Sequence, residues 1–347
     1  MIHLVDDNKL GGVNLALQSL CASQLKDHFE FSIVNIDLTD FWPKRFKADV
    51  LILHTAASWR KLPGLFLFRL ANIGTPIFYQ EHHYSAGFMQ HEVSHHKRFY
   101  LMLRLSYYLM HKVLAVSAAQ GRWLLDHRLL KESKLVVIKQ ARPVDALLSL
   151  PDTPLCLPIQ LGAYGRFHKQ KGFDLLIKAM AYVPAEKIEL HLAGEGEMLP
   201  YLQSLAAKLD NVTLVGEIDN VALFLFHCDA VIIPSRWEPF GLICQESIAA
   251  GKAILTTRVD GLQEQVMPLM MTEHERSSIS FIDLTQAGLV QGLEKLITQA
   301  ETKLARGHKV THLSGLNDQE RAIASKRWIQ MVDAWKYLLT TELNKKN

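Results

Sequence analysis

Only four cysteines occur in 347 residues, Cys21, Cys156, Cys228 and Cys244, and they lie far apart, so neither a disulfide framework nor a zinc ribbon has support. They are expected as small buried apolar groups. Long hydrophobic runs are missing too: no stretch of eighteen apolar residues exists, and the opening "MIHLVDD" lacks the basic start and apolar region of a secretory leader. A cytoplasmic location follows as the expectation. Nor is charge extreme, because charged residues make up 21% against 49% hydrophobic, a globular rather than a disordered composition. With a net charge of +3, no nucleic-acid partner is expected.

The length asks for two domains. Short β-branched runs alternate with amphipathic stretches, which predicts an α/β protein with parallel sheets and crossover helices. In the first half the strands are read at "IHLV", "FSIVNI", "VLILHT", "PIFYQ", "VLAVS" and "KLVVIK". "LLSLPDTPLCLP" then brings Pro151, Pro154 and Pro158 without an apolar period, and reads as a linker. The pattern restarts with "IQLGAYG", "IELHLAG", "VTLVG", "AVIIPS", "AILTTR" and "ISFI". Two doubly wound domains are therefore expected, 1–150 and 151–316, facing a cleft lined by loops at strand carboxyl ends. The tail 317–343 reads as one long helix, with Ile323, Trp328, Met331, Val332 and Trp335 apolar, packing back onto the first domain.

Charge is uneven. Residues 1–145 hold 18 Lys/Arg against 12 Asp/Glu, and the remainder 20 against 23, giving +6 and −3. Much of the basic charge lies among aromatics in "FWPKRFK", "WRKLPGLFLFRL" and "HHKRFYLMLRLSYYLMHK", which suits an anionic membrane surface. The competing expectation is that Leu101, Leu105 and Tyr108 form the buried stripe of a core helix.

The opening "MIHLVDDNKLGGVNLAL" permits two electrostatically opposite readings. Asp6 and Asp7 after a strand could hold a metal, as in a receiver domain, but His54 stands where the phosphoryl-accepting aspartate would be needed. Asp6 and Asp7 are then loop residues. Gly11 and Gly12 instead let backbone N–H groups approach an anion before a helix near Val13.

The most informative cluster is "PSRWEPFGLICQESIAAGKAIL", residues 234–255, directly after the strand "AVIIPS". Pro239 suits a first helical turn and Gly251 a cap, which places Glu238 at a helix entrance and Glu246 within the helix. At about 1.5 Å rise per residue their backbones would lie about 12 Å apart. Paired glycosidase carboxylates stand roughly 5 to 9.5 Å apart, so these two acids should grip different parts of one long ligand.

This E-x(7)-E element resembles that of the retaining, GT-B-fold glycosyltransferases of family 4. "GAYGRFHKQKGFDLLIKAM" is similar to the family's glycine-arginine and lysine-glycine stretch, "LAGEGE" to its glycine-rich turn, and "VDGLQEQV" to its loop beyond the helix. In the first half the resemblance runs through Gly11-Gly12 and the histidine of "QEHHYSAG", either His82 or His83, and it departs at "VIKQARPVD". The resemblance implies a sugar transfer from a nucleotide-diphosphate sugar to a glycan or lipid-linked acceptor, in cell-surface polysaccharide or lipopolysaccharide synthesis. It implies no cofactor and no metal, and a protein that is cytoplasmic or peripheral at the inner membrane face. Arg166, Lys171 and the backbone of Phe240, Gly241 and Leu242 would face the phosphates. Gly12 would lie against the diphosphate, Glu238 at the donor sugar, Glu246 at the ribose, and His82 near the sugar.

Rival readings are a GT-B-like epimerase or phosphorylase, a non-catalytic nucleotide-sugar binder, and a zinc hydrolase. The last rests on "HEVSH", where His91 and His95 would be ligands and Glu92 the base if the segment were helical.

Overall fold

The computed structural model of the chain describes residues 1–6, 12–40, 42, 44–270, 279–305 and 313–344. Asp7 and Gly11 lie outside the described residues. Two compact units emerge, one of residues 1–143 with 327–347 and one of 144–326.

The first unit runs β1 (Ile2–Val5), α1 (Gly12–Ala22), β2 (Ser32–Asn35), β3 (Leu51–His54), α2 (Leu62–Ala71), β4 (Ile77–Glu81), α3 (Ala86–Glu92), α4 (His96–Tyr108), β5 (Lys112–Ala115), α5 (Ala118–Asp126) and β6 (Leu135–Val137). The second runs α6 (Asp145–Leu148), β7 (Ile159–Tyr164), α7 (Phe173–Met180), β8 (Ile188–Ala193), α8 (Leu199–Ala206), β9 (Val212–Gly216), α9 (Val221–Phe226), β10 (Ala230–Ile233), α10 (Leu242–Ala249), β11 (Ala253–Thr256), α11 (Asp260–Met270), β12 (Ile279–Phe281) and α12 (Gln286–Ala305). A last helix, α13 (Asp318–Asn344), crosses the unit boundary.

Each unit holds a parallel sheet of six strands among the described residues, ordered β2-β1-β3-β4-β5-β6 and β12-β11-β10-β7-β8-β9. Central strands such as β3 and β10 are buried throughout, as a parallel sheet covered on both faces requires. Strand order reverses between β1 and β3 in one sheet and between β10 and β7 in the other. Loops leaving the carboxyl ends at such a reversal diverge to opposite faces and open a crevice there. In the second unit those loops are 165–172 after β7 and 234–241 after β10.

The tail helix is built as the apolar spacing predicts. Met331, Val332, Trp335, Leu338 and Leu339 are buried against Val5, Ile52, Phe78 and Leu114 of the first sheet. Trp335 is among the largest fully buried side chains, and truncating it would cost about 3–5 kcal/mol.

Several expectations fail here. In α4 the buried side chains are Met102, Leu103, Ser106 and Tyr107. Leu101, Leu105 and Tyr108 point outward, 49%, 41% and 79% exposed. The helix has two apolar stripes, and the sheet takes the other one. Of the cysteines only Cys228 and Cys244 are buried; Cys21 is intermediate and Cys156 exposed. Finally, "HEVSH" is not one helix: α3 ends at Glu92, Val93 is extended, and His95 caps α4. His91 and His95 therefore do not share the helix turn that zinc ligation needs, and no metal-ligand cluster occurs among the described residues.

Candidate functional site

At the strand-order reversal of the second sheet, the loop after β7 carries Arg166 and Lys171 and the loop after β10 carries Glu238. Lys171 closes a short 3-10 turn over 169–171 that stops at Gly172, whose φ of +69° suits glycine. A Cβ there would meet the Pro234 carbonyl oxygen at 2.0 Å, so glycine alone lets the two loops touch. Lys171 Nζ lies 2.5 Å from Glu238 Oε2, and Ser235 Oγ donates to the same oxygen at 3.3 Å. Arg166, earlier on the same loop as Lys171, is exposed.

The Glu238 loop is held from three sides. Arg236 makes a bidentate pair with Asp174 of α7, both N–H···O distances 2.9 Å, and donates to the Lys169 carbonyl at 2.6 Å. Gln170 Nε2 donates to the Trp237 carbonyl at 3.0 Å. The Glu238 N–H donates to Asp260 Oδ2 at 3.0 Å, and Gln265 Nε2 donates to the carbonyls of Phe240, at 2.6 Å, and Gly241, at 3.1 Å. Asp260 and Gln265 belong to the "VDGLQEQV" segment, whose role is thus to brace the loop.

The helix start differs from its expected place. α10 begins at Leu242, with Gly241 as N-cap at φ +87°, so Pro239 and Glu238 precede the helix and the 12 Å helical spacing does not describe the two acids. A Cβ at Gly241 would press on Glu238 Cγ at 2.8 Å; the left-handed cap and the acid occupy one space. Glu246 does lie on α10, is 3% exposed, and accepts a hydrogen bond from the Tyr164 hydroxyl at the end of β7. Phe240, within the loop, is buried. Arg166, Lys171, Glu238, Phe240, Gly241, Leu242 and Glu246 thus belong to the neighbouring elements β7, β10 and α10 and the loops that join them. Tyr164, Asp260, Gln265 and the Arg236–Asp174 pair complete the frame and were not singled out as site residues from the sequence.

The first-unit candidates sit apart from these in the chain. Gly12 opens α1. Asp6 follows β1 and pairs with Lys61, Nζ to Oδ2 2.5 Å. His82 follows β4, but its ring is turned inward: Nε2 lies 3.0 Å from His54 Nδ1, and Nδ1 is buried. His83 is the exposed member of the pair. The turn carrying both is anchored by buried Glu81, which accepts from the His83 N–H at 2.8 Å, the Tyr84 N–H at 3.0 Å and the Tyr107 hydroxyl at 2.6 Å. Burial pushes the Glu81 carboxyl up to about 7, against the pull of those three donors.

Comparison with known proteins places this frame. Residues 158–304 match the family described as glycosyl transferases group 1. The chain is 33% identical over 165 residues to the lipopolysaccharide core biosynthesis glycosyltransferase LpsE of Rhizobium meliloti, covering 46% of this chain and 46% of LpsE. It is 30% identical over 140 residues to an uncharacterised glycosyltransferase of Methanocaldococcus jannaschii, covering 39% of this chain and 34% of that protein. The matched stretches therefore span between a third and a half of those relatives' lengths. Over the whole chain the fold is similar to HepE of Anabaena in complex with UDP and glucose, with a TM-score of 0.68 at 16% identity, covering 98% of this chain and 99% of HepE. The architecture is GT-B. The group 1 match begins at Pro158, just before β7, and contains Arg166, Lys171, Glu238 and Glu246.

Proposed function

We propose that the chain is a retaining family 4 glycosyltransferase that moves a sugar from a nucleotide-diphosphate sugar to a glycan or lipid-linked acceptor in cell-surface polysaccharide or lipopolysaccharide synthesis. One observation carries the reading: a shielded lysine–glutamate pair, Lys171 and Glu238, sits at the strand-order reversal, with exposed Arg166 on the same loop as Lys171 and buried Glu246 on the helix that follows Glu238.

Breaking the anomeric C–O bond places negative charge on the departing diphosphate and positive charge on the sugar ring. Arg166, Lys171 and the N–H groups at the start of α10 oppose the first; no divalent metal or resident cofactor is needed for that role. Glu238 takes the sugar while Lys171 turns to phosphate. Glu246, oriented by Tyr164, takes the ribose hydroxyls, and Gly12 and His82 or His83 serve from the first unit.

The acceptor side has its own support. Neither 59–80 nor 93–125 contains an acid. Helices α2 and α4 within them expose Phe66, Leu70, Leu101, Leu105 and Tyr108, with Arg69, Arg98 and Arg104 interleaved. Arg98 lies over the Trp59 ring at 5.7 Å, tying α4 to the segment entering α2. Exposed apolar side chains interleaved in sequence with cations suit the headgroup region of an anionic bilayer, and no helix of the described residues is long and apolar enough to cross one.

Thermal-shift screening against UDP-, GDP- and ADP-sugars, followed by transfer assays, tests the reading. UDP-glucose comes first because UDP and glucose are bound to HepE. A selective rise in melting temperature with acceptor-dependent product supports it. Acceptor-independent epimer or phosphate-dependent exchange would favour the epimerase or phosphorylase, and binding without turnover the silent module.

A further inference from the structure

Three histidines from neighbouring strands of the first sheet form one row. His3 pairs in register with Ile52, so His54 lies two residues further along the same face, and His82 follows β4 on the other side of β3. His3 Nδ1 is 2.8 Å from His54 Nε2, and His54 Nδ1 is 3.0 Å from His82 Nε2, with ring centroids 5.1 and 5.3 Å apart. Burial drives all three toward the neutral form: His3 falls to about 3, and His54 and His82 lie well below the ordinary histidine value. The charged groups bearing on the row are the amino terminus, on His3, and His83, on the other two; both oppose a further proton. Where α1 and α13 line the cavity beside the row, the side chains are Ala16, Leu17, Leu20, Met331 and Trp335.

A neutral imidazole has one N–H and one bare nitrogen. Two bonds between three such rings allow only two patterns: every ring protonated at Nδ1, or every ring at Nε2. The first leaves an N–H at His82 Nδ1 and a bare nitrogen at His3 Nε2; the second reverses them. Both terminal nitrogens are buried without a partner among the described residues. Their surroundings differ. His3 is enclosed by the Phe31 and Trp335 rings, at 5.9 and 6.1 Å. His54 and His82 instead border a cavity of about 20 Å³ that Gln80 and Gln140 also line, enough room for one water with polar partners. An orphaned N–H is rarer in folded proteins than an under-used acceptor, so the spare N–H belongs at the His82 end.

We propose that His3, His54 and His82 form one tautomeric unit with all three protons on Nδ1. His3 and His54 are positioning residues: they fix His82 as a hydrogen-bond donor whose Nε2 is closed to general-base chemistry. The functional role of His82 rests on the glycosyltransfer reading, whereas the tautomer pattern does not.

The test is ¹⁵N-histidine NMR of the full chain without ligand, over about pH 5.5 to 8.5, a range that brackets the ordinary histidine pKa. The expected result is three neutral rings, each N–H at Nδ1, unchanged across the range. In His54→Phe, His82 should lose its fixed tautomer and titrate; if that variant does not fold, the wild-type spectra decide alone. Any of the three rings found as the Nε2–H tautomer, or gaining a proton within the range, overturns the proposal. A locked row in a protein that binds no nucleotide sugar would leave this inference standing and remove the glycosyltransfer reading.

Discussion

Lys171 Nζ lies 2.5 Å from Glu238 Oε2, with the two side chains only 15% and 10% exposed. In the absence of phosphate the acid is the lysine's counter-ion; a diphosphate bound at Lys171 would compete with it for the same cation. Removing either partner strands the other in a poorly solvated place. Lys171→Met and Glu238→Gln should therefore each lower the melting temperature, and the double variant should recover most of that loss while remaining inactive. Turnover in Lys171→Met should fall about 100-fold or more, the scale for losing a group that opposes developing charge. Near-normal turnover would remove Lys171 from the chemistry.

Tyr164 donates to Glu246. A ribose contact exists in both ground and transition states, so Glu246→Ala should weaken donor binding more than turnover at saturation. Tyr164→Phe frees the carboxylate without deleting it. Titration calorimetry should show about a tenfold weaker nucleotide, the scale of one hydrogen bond to a charged group. Unchanged affinity in both variants would mean that Glu246 does not meet the ribose.

Glu81 makes stability depend on pH. Burial raises its pKa to about 7 from the ordinary carboxyl value of 4.5, so the native chain binds this proton more tightly than the unfolded one. The contribution is fully present below pH 4.5 and is lost as pH rises through 7, amounting to about 3 kcal/mol for a shift of this size. Glu81→Gln keeps an acceptor for the His83 and Tyr84 amides and removes the titration. Denaturant unfolding at pH 5 and pH 8 should show the variant less sensitive to pH than wild type; identical slopes would assign the dependence elsewhere.

The outward stripe of α4 gives a fourth test. Leu101→Glu with Leu105→Glu should reduce sedimentation with anionic vesicles at low salt by about tenfold, while leaving the melting temperature and donor affinity unchanged. Equal binding by wild type and variant, or binding insensitive to salt, would detach this face from the membrane.

The alternation of apolar runs made the parallel sheets legible, and the apolar spacing of 317–343 marked the tail helix, because both follow from local periodicity. What escaped depends on contacts between distant residues. Leu101, Leu105 and Tyr108 share a helical face as good as that of Met102, Leu103 and Tyr107, and only the docking of α4 chooses between them. Pro239 looked like a helix start, but the left-handed Gly241 moves the start to Leu242. His3, His54 and His82 are separated by tens of residues, and no local pattern announces that three strands align them; Tyr164 and Glu246 meet for the same unreadable reason.

The glycosyltransfer reading of the Lys171–Glu238 site meets its sharpest test in a crystal structure of the protein with a bound nucleotide-diphosphate sugar. It predicts the diphosphate against Arg166 and Lys171, the ribose hydroxyls on Glu246, and the sugar at Glu238. A nucleotide sugar lodged away from these four side chains would contradict it.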